Sequence, residues 1–271
     1  RIGFIKEIPP ATWADDPEKV AKFIETLTSC PTLKYLHFIG GETLITPAFK
    51  QILQSLIDAG RTEPVIGFTT NLTVCDPEVI DLLKKFSGVN LGMSVETLTP
   101  VNDYVRWPIK MPTMLENLQY WRQAAEAQGW LLQLRTTPTA LTIHELISVY
   151  DYAWTHNISV ESCNFINEPA YMRPAVLPAK YRDPVVEQMQ QWIDAHSAEE
   201  LDSVNVRDPN RARAYIRQDL QSYVNYMKNE QDQSHRLPDL ITFLKRIEQS
   251  RNNSILDYIP QYEELFRSAG Y

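Results

Sequence analysis

The sequence is poor in cysteine. It has three in 271 residues, Cys30, Cys75 and Cys163, odd in number and far apart. That argues against a disulfide framework and favours a reducing, cytoplasmic setting. Their separation also lacks the close pairing of a zinc or iron–sulfur ligand set. No apolar run approaches the ~18 residues needed to cross a bilayer, so no membrane partner is expected. Positive charge is in deficit, with a formal net charge of −8, which argues against general affinity for a nucleic-acid backbone. Nucleotide cradles of the P-loop or G-x-G-x-x-G type are missing, as is a G-x-S-x-G elbow. His144-Glu145 begins like a zinc-protease motif, but position 148 is Ser148. The chain starts at Arg1 with no initiator Met and no signal-peptide pattern, and further residues are expected upstream.

What is present is an alternation. Asp16-Pro17, Thr46-Pro47 and Asp76-Pro77 each read as cap and first residue of a helix. Val20, Phe23, Ile24 and Leu27 follow the first at helical spacing. Phe49, Ile52, Leu53, Leu56 and Ile57 follow the second, with Gly60 as its stop. Val79, Ile80, Leu83 and Phe86 follow the third, with Gly88 ending it. Between these helices and beyond them lie strand-like runs: LKYLHFI, VIGFTT, VNLGMSV, LLQLRTT and SVESCNFI. A helix is predicted from about Thr113 to Gln128 and another over IHELISVYDYAW. Strands alternating with amphipathic helices predict right-handed βαβ units and a parallel sheet. After about Pro174 only helical signals remain: one helix starting at Asp183-Pro184, then Pro209 to Lys228 and Pro238 to Ser250, with SAEELDSVNVRDPN as a connecting loop.

Polar and special residues gather where the predicted strands end, the rim on which parallel sheets build their sites. Gly40-Gly41-Glu42 ends the first. Its glycines permit close backbone approach, and Glu42 can pair with a cation; the same three residues also make an ordinary tight turn with a solvated carboxylate. Thr69-Thr70-Asn71 offers hydroxyls and an amide to a ligand, or closes a turn. Ser94 and Glu96, at period two, project to one side and suit a ribose, or bond the neighbouring Thr-Thr-Asn turn. Arg135 and Thr137 share a face, and Arg135 either clamps a ligand carboxylate or pairs with Glu96. NDYVRWP, Asn102 to Pro108, reads as an aromatic loop over the sheet edge. Cys163 reads as a core residue inside its strand.

Taken in order, LKYLHFIGGETLITPAF, FTTNLTV, LGMSVETLTPVNDYVRWP, LRTTPTALTIHEL and NFINEPAYMRPAVLP resemble the radical S-adenosylmethionine (SAM) enzymes, most of all the twitch-domain-containing subgroup. The likeness covers roughly Trp13 to Leu177, with a fainter echo at RNNSILDYIPQYEELF. It implies a partial (β/α)6 barrel over residues 1–175 and a helical C-terminal extension over 176–271. It also implies SAM bound by Gly40, Gly41 and Glu42 at its ammonium, and by Ser94 and Glu96 at the ribose. Arg135 and Thr137 would serve the carboxylate or ribose, Asn164 and Phe165 would lie beside the adenine, and Asn71 would line the same rim.

The resemblance further implies a [4Fe-4S] cluster. Its C-x-x-x-C-x-x-C loop is absent from the 271 residues and is expected upstream of Arg1. No cysteine follows Cys163, so the extension is expected to hold no second cluster. The implied activity is reductive cleavage of SAM to a 5′-deoxyadenosyl radical that takes hydrogen from a substrate. A peptide or protein is the implied substrate, and flavodoxin or ferredoxin the kind of electron donor. Two other readings stay open: an inactive radical-SAM-like scaffold or partner subunit, and a non-radical α/β barrel lyase or isomerase.

Overall fold

The computed structural model describes residues 13–162, 165–196 and 209–271. The chain forms two compact units, one of residues 1–92 and 117–132 and the other of 93–116 and 133–271. Five strands make one parallel sheet in the order β1 to β5: β1 (Tyr35–Phe38), β2 (Val65–Thr70), β3 (Gly88–Ser94), β4 (Leu131–Arg135) and β5 (Ser159–Glu161). This is the α/β fold that the alternation of strand and helix signals predicts.

In the first unit, α1 (Pro17–Ser29) starts at Asp16, whose Oδ1 accepts from the N–H groups of Glu18 at 3.1 Å and Lys19 at 3.3 Å. Such a cap is worth about 1 kcal/mol. Helix α2 (Pro47–Asp58) buries Ala48, Phe49, Ile52, Leu53 and Leu56, the i, i+3, i+4 face expected of an amphipathic helix. Phe49 meets Phe38 of β1 and Phe68 of β2 at centroid distances of 4.8 and 5.3 Å, and Phe68 meets Trp121. Each large apolar side chain so buried contributes roughly 1.5–3 kcal/mol. Helix α3 (Pro77–Leu83) is capped by Asp76, and Lys50 bridges Asp76 at 2.6 Å and Glu78 at 2.8 Å. The helix ends at Leu83, earlier than predicted. Phe86 still reaches the core from outside it, and Gly88 opens β3 instead of stopping the helix.

The second unit holds α4 (Val101–Val105), in the segment predicted as loop; the buried Val101, Asn102 and Tyr104 explain why this turn coils. Helix α5 (Met111–Gln128) begins there and continues into the first unit. A short 3₁₀ turn at Ile143–Glu145 leads into α6 (Ile147–His156), ended by Asn157 in the left-handed region. Helix α7 (Ala179–Ala195) begins at Pro178, over a turn before the Asp183-Pro184 start that the sequence predicts. Pro184 therefore lies inside the helix and forfeits one backbone bond. Burial of Val185, Val186, Met189, Trp192 and Ile193 offsets that loss.

Helices α8 (Pro209–Asn229), α9 (Leu237–Arg251) and α10 (Glu263–Ser268) complete the unit. Asp219 of α8 accepts from the Tyr150 hydroxyl at 2.5 Å, from Ser162 Oγ at 2.6 Å and from the Ser162 N–H at 3.2 Å. A buried polar knot thus fixes α8 to the end of β5. The connecting loop predicted at SAEELDSVNVRDPN lies mostly outside the described residues.

Candidate functional site

Where β1 ends in the first unit, the chain passes through Gly40 at φ +139°, a conformation closed to residues with a side chain. Gly40 and Gly41 are exposed, and a Cβ added to either would meet nothing within 4 Å. Backbone there stands open to a neighbour. Glu42 follows, half-buried, and among the described residues its carboxylate is held by backbone donors alone. Oε2 accepts from the Asn71 N–H at 2.7 Å and Oε1 from the Leu44 N–H at 3.2 Å, capping the 3₁₀ turn Thr43–Ile45. Among the described residues no Lys, Arg or His forms an ion pair with it.

Asn71 reaches Glu42 because the next residue bends the chain. Leu72 has φ +63°, rare for a residue with a branched side chain. Three contacts hold it there: its side chain is fully buried, its N–H donates to Thr70 Oγ1 at 3.1 Å, and Asn117 Nδ2 donates to its carbonyl at 2.8 Å. Asn71's own amide oxygen closes a turn by accepting from the N–H and hydroxyl of Thr73. Leu72 and Asn117 carry no chemical signal in the sequence, and sequence reasoning missed them.

In the second unit, Ser94 is the half-buried last residue of β3, and Glu96 lies just beyond it. Glu96 is fully employed by the protein. Arg106 Nη2 donates to Oε1 at 2.6 Å, while Oε2 accepts from the Thr137 N–H at 2.8 Å and Thr136 Oγ1 at 3.3 Å. Its side chain is 14% exposed. Glu96 thereby ties the exits of β3 and β4 together, a role for which the Thr-Thr-Asn turn had been one expected partner.

The expected alternative of an Arg135–Glu96 pair is corrected. Arg135 lies directly across from Glu161 in the β4–β5 register, and its Nε reaches Glu161 Oε2 at 3.1 Å and Gln133 Oε1 at 3.0 Å. The cation serving Glu96 is Arg106, in the loop where the sequence showed a single arginine among aromatics. Phe165 stacks on Tyr226 with centroids 3.9 Å apart and on Tyr223 at 5.7 Å. Asn164 and Cys163 lie outside the described residues.

Elsewhere in this unit the half-buried His144 has no hydrogen-bond partner for either ring nitrogen among the described residues, Nε2 standing 3.9 Å from Glu145 Oε1, and burial pushes its pKa down to about 4. Glu145 beside it is raised by burial. The Tyr262 ring stands edge-on to His144 at 5.3 Å.

The first-unit residues fit an aminoacyl ligand such as SAM. A carboxylate with two N–H donors retains lone pairs for an ammonium, and the two bare glycines leave room beside it. A [4Fe-4S] cluster does not fit the described residues. Among them no group of three His, Cys, Asp or Glu is arranged to hold a metal, and Cys30 and Cys75 form no disulfide. Among the described residues no helix is long and apolar enough to cross a membrane.

Comparison with curated proteins gives no match. Among solved structures, similarity extends to Streptococcus suis SuiB bound to S-adenosylmethionine. There the identity is 14% over 59% of this chain and 35% of that one, with a TM-score of 0.41. SuiB bound to its precursor peptide SuiA gives 14% identity over 70% of this chain and 41% of that one, TM-score 0.43. The radical S-adenosylmethionine methyltransferase TsrM from Kitasatospora setae, with cobalamin and [4Fe-4S] cluster bound, gives 15% over 72% and 37%, TM-score 0.41. The chain thus spans well under half the length of these proteins. The family model of the radical SAM superfamily matches residues 4–149, more than half of the sequence. It takes in the Gly-Gly-Glu turn, Asn71, and the Glu96 latch with its Arg106 and Thr137 partners, and the chain belongs to the radical SAM superfamily.

Proposed function

We propose that this chain is the SAM-binding part of a radical SAM enzyme that takes hydrogen from a peptide or protein substrate. One observation carries the reading: Glu42 is a half-buried carboxylate, aimed by two neutral N–H donors beside bare glycine backbone, with no cation of the described residues to pair with it. The amino group of SAM supplies the missing charge. When bound and reductively cleaved, SAM supplies a carbon-centred radical able to take a hydrogen atom.

The chain's own contribution is binding and orientation. Gly40 and Gly41 admit the ligand to the backbone, Glu42 pairs with its ammonium, and Leu72 with Asn117 fixes the Asn71 N–H that aims the carboxylate. In the second unit, Ser94 is assigned to the ribose and Phe165 to the adenine, with Thr137 and Arg135 at the same strand ends. The cysteine loop for the cluster is not among the 271 residues, and the electron is assigned to a flavodoxin- or ferredoxin-type donor. The peptide substrate, the twitch-type kinship and the division into a core of 1–175 and an extension of 176–271 rest on the motif resemblance.

The test is anaerobic incubation of the intact protein, reconstituted with iron and sulfide, with SAM and dithionite. Product is read as 5′-deoxyadenosine by mass spectrometry and binding by calorimetry. The reading expects both SAM binding and 5′-deoxyadenosine. SAM binding without product, with the cluster shown spectroscopically, assigns the chain instead to a scaffold. Failure to bind SAM removes the reading altogether.

A further inference from the structure

Helix α4 is only five residues long, yet it is gripped on two sides. Toward the strand ends, Asn102 Oδ1 accepts from the N–H groups of Glu96 at 3.1 Å and Thr97 at 3.4 Å, and Arg106 donates to the Glu96 carboxylate at 2.6 Å. Toward the C-terminal helices, the buried Tyr104 donates its hydroxyl to Glu248 Oε1 at 2.8 Å. Arg251 Nη1 donates to the Tyr104 carbonyl at 3.0 Å, and its guanidinium lies over the Trp107 ring at 5.2 Å. Glu248 is itself held: the Ile255 N–H donates to Oε1 at 2.6 Å and the Tyr271 hydroxyl to Oε2 at 2.7 Å. Among the described residues every donor to its carboxylate is a neutral group. Burial, and then its hydrogen bond to Glu248, hold the Tyr104 phenol above its usual range, so it remains a donor.

We infer that Glu248 and Arg251 of α9 are positioning residues for the β3 and β4 exits, acting through Tyr104 and Arg106 on the Glu96 latch. Glu248 does not touch Glu96 or Thr137. It fixes the roll of a single helical turn that carries Asn102 and leads into Arg106, which hold Glu96 alongside Thr136 and Thr137. A five-residue helix has too little internal hydrogen bonding to keep its own orientation, so α9 sets it. This deepens the functional reading and rests on it in one respect: the β3–β4 exits are taken there as part of the SAM-binding surface. The C-terminal helices are then a working part of that surface, and a residue some 150 positions away from the latch decides whether it is formed.

The test measures amide hydrogen exchange on the intact protein without SAM, comparing wild type with Glu248→Ala, Glu248→Gln and Tyr104→Phe. The amides that report are those of Glu96, Thr97 and Thr137, each bonded to a side chain of the latch. Tyr104→Phe deletes only the hydroxyl, so it keeps the inference testable should Glu248→Ala fold poorly. The expected result is about tenfold faster exchange at these three amides in Glu248→Ala and Tyr104→Phe, the factor that loss of one ordinary hydrogen bond gives. Amides of β5 and α6 should stay at wild-type protection. Glu248→Gln keeps an acceptor oxygen for Tyr104 and Ile255 and should restore wild-type exchange.

Wild-type protection at the three amides in Tyr104→Phe overturns the inference, as does an equal loss of protection across the whole second unit. SAM affinity of the same proteins tests the underlying reading separately. If exchange changes as stated while the SAM dissociation constant does not, the brace stands and the assignment of these strand ends to SAM falls.

Discussion

Glu42→Gln separates the two roles assigned to this carboxylate. The native side chain gives one oxygen to the Asn71 N–H at 2.7 Å and the other to the Leu44 N–H at 3.2 Å. Glutamine keeps one acceptor and turns an N–H₂ group toward the other donor. Hydrogen bonds to a charged group are each worth about 1.5–3 kcal/mol. Since the site is half-buried and one bond is retained, the lower end applies, and Glu42→Gln should cost about 1–2 kcal/mol of stability. Glu42→Ala strands both donors and should cost about 2–3 kcal/mol.

Urea unfolding at pH 7 measures this, with an unchanged dependence on denaturant as the sign of unaltered cooperativity. The ammonium role adds a loss that stability does not report. With its counter-charge gone, SAM should bind about 10–100-fold more weakly to Glu42→Gln, a loss of about 1.4–2.7 kcal/mol. Calorimetry on the folded variant reads it directly. If stability falls by the stated amount while SAM affinity is unchanged, Glu42 is a turn cap and the ligand assignment is refuted.

His144 should make stability depend on pH. Half-buried and neutral, it has its pKa pushed down to about 4. The unfolded chain takes up a proton below about 6.5 that the folded protein refuses until pH 4. Stability is therefore full above pH 6.5 and declines as pH falls toward 4, by roughly 3 kcal/mol in all. Glu145, raised by burial, contributes with the opposite sign, so the informative quantity is the difference between wild type and His144→Phe across that range. A difference that does not vary with pH would remove the claim. Asp219→Ala should cost about 2–4 kcal/mol in urea unfolding, because it strands the buried Ser162 N–H and removes two hydroxyl contacts; a loss under 1 kcal/mol would show that the knot does not hold α8 on β5.

The elements were legible where a local rule decides them. Asp-Pro and Thr-Pro pairs at 16, 46 and 76 do begin α1, α2 and α3. The same rule misplaced α7, because Asp183-Pro184 is identical as a dipeptide yet lies within a helix already begun at Pro178. There the buried stripe from Val185 to Ile193 outweighs one missing N–H, and no dipeptide reports that balance. The site was legible as residue types and much less so as pairings. Arg135 needed the β4–β5 register before Glu161 emerged as its partner. The placement of Asn71 depends on Leu72 at positive φ and on Asn117, 45 residues further along.

Glu42 and Glu96 show what the pairings decide. Both follow the end of a strand, both are half-buried, and a sequence offers no ground for treating them differently. Glu96 takes a guanidinium together with its N–H and hydroxyl donors, so its charge is balanced within the protein. Glu42 takes two neutral donors, which orient the carboxylate without neutralising it. Taking a charge partly out of water is costly unless a counter-charge arrives. On the proposed reading, then, Glu42 is the carboxylate that a cationic ligand would complete, whereas Glu96 ties the exits of β3 and β4 together.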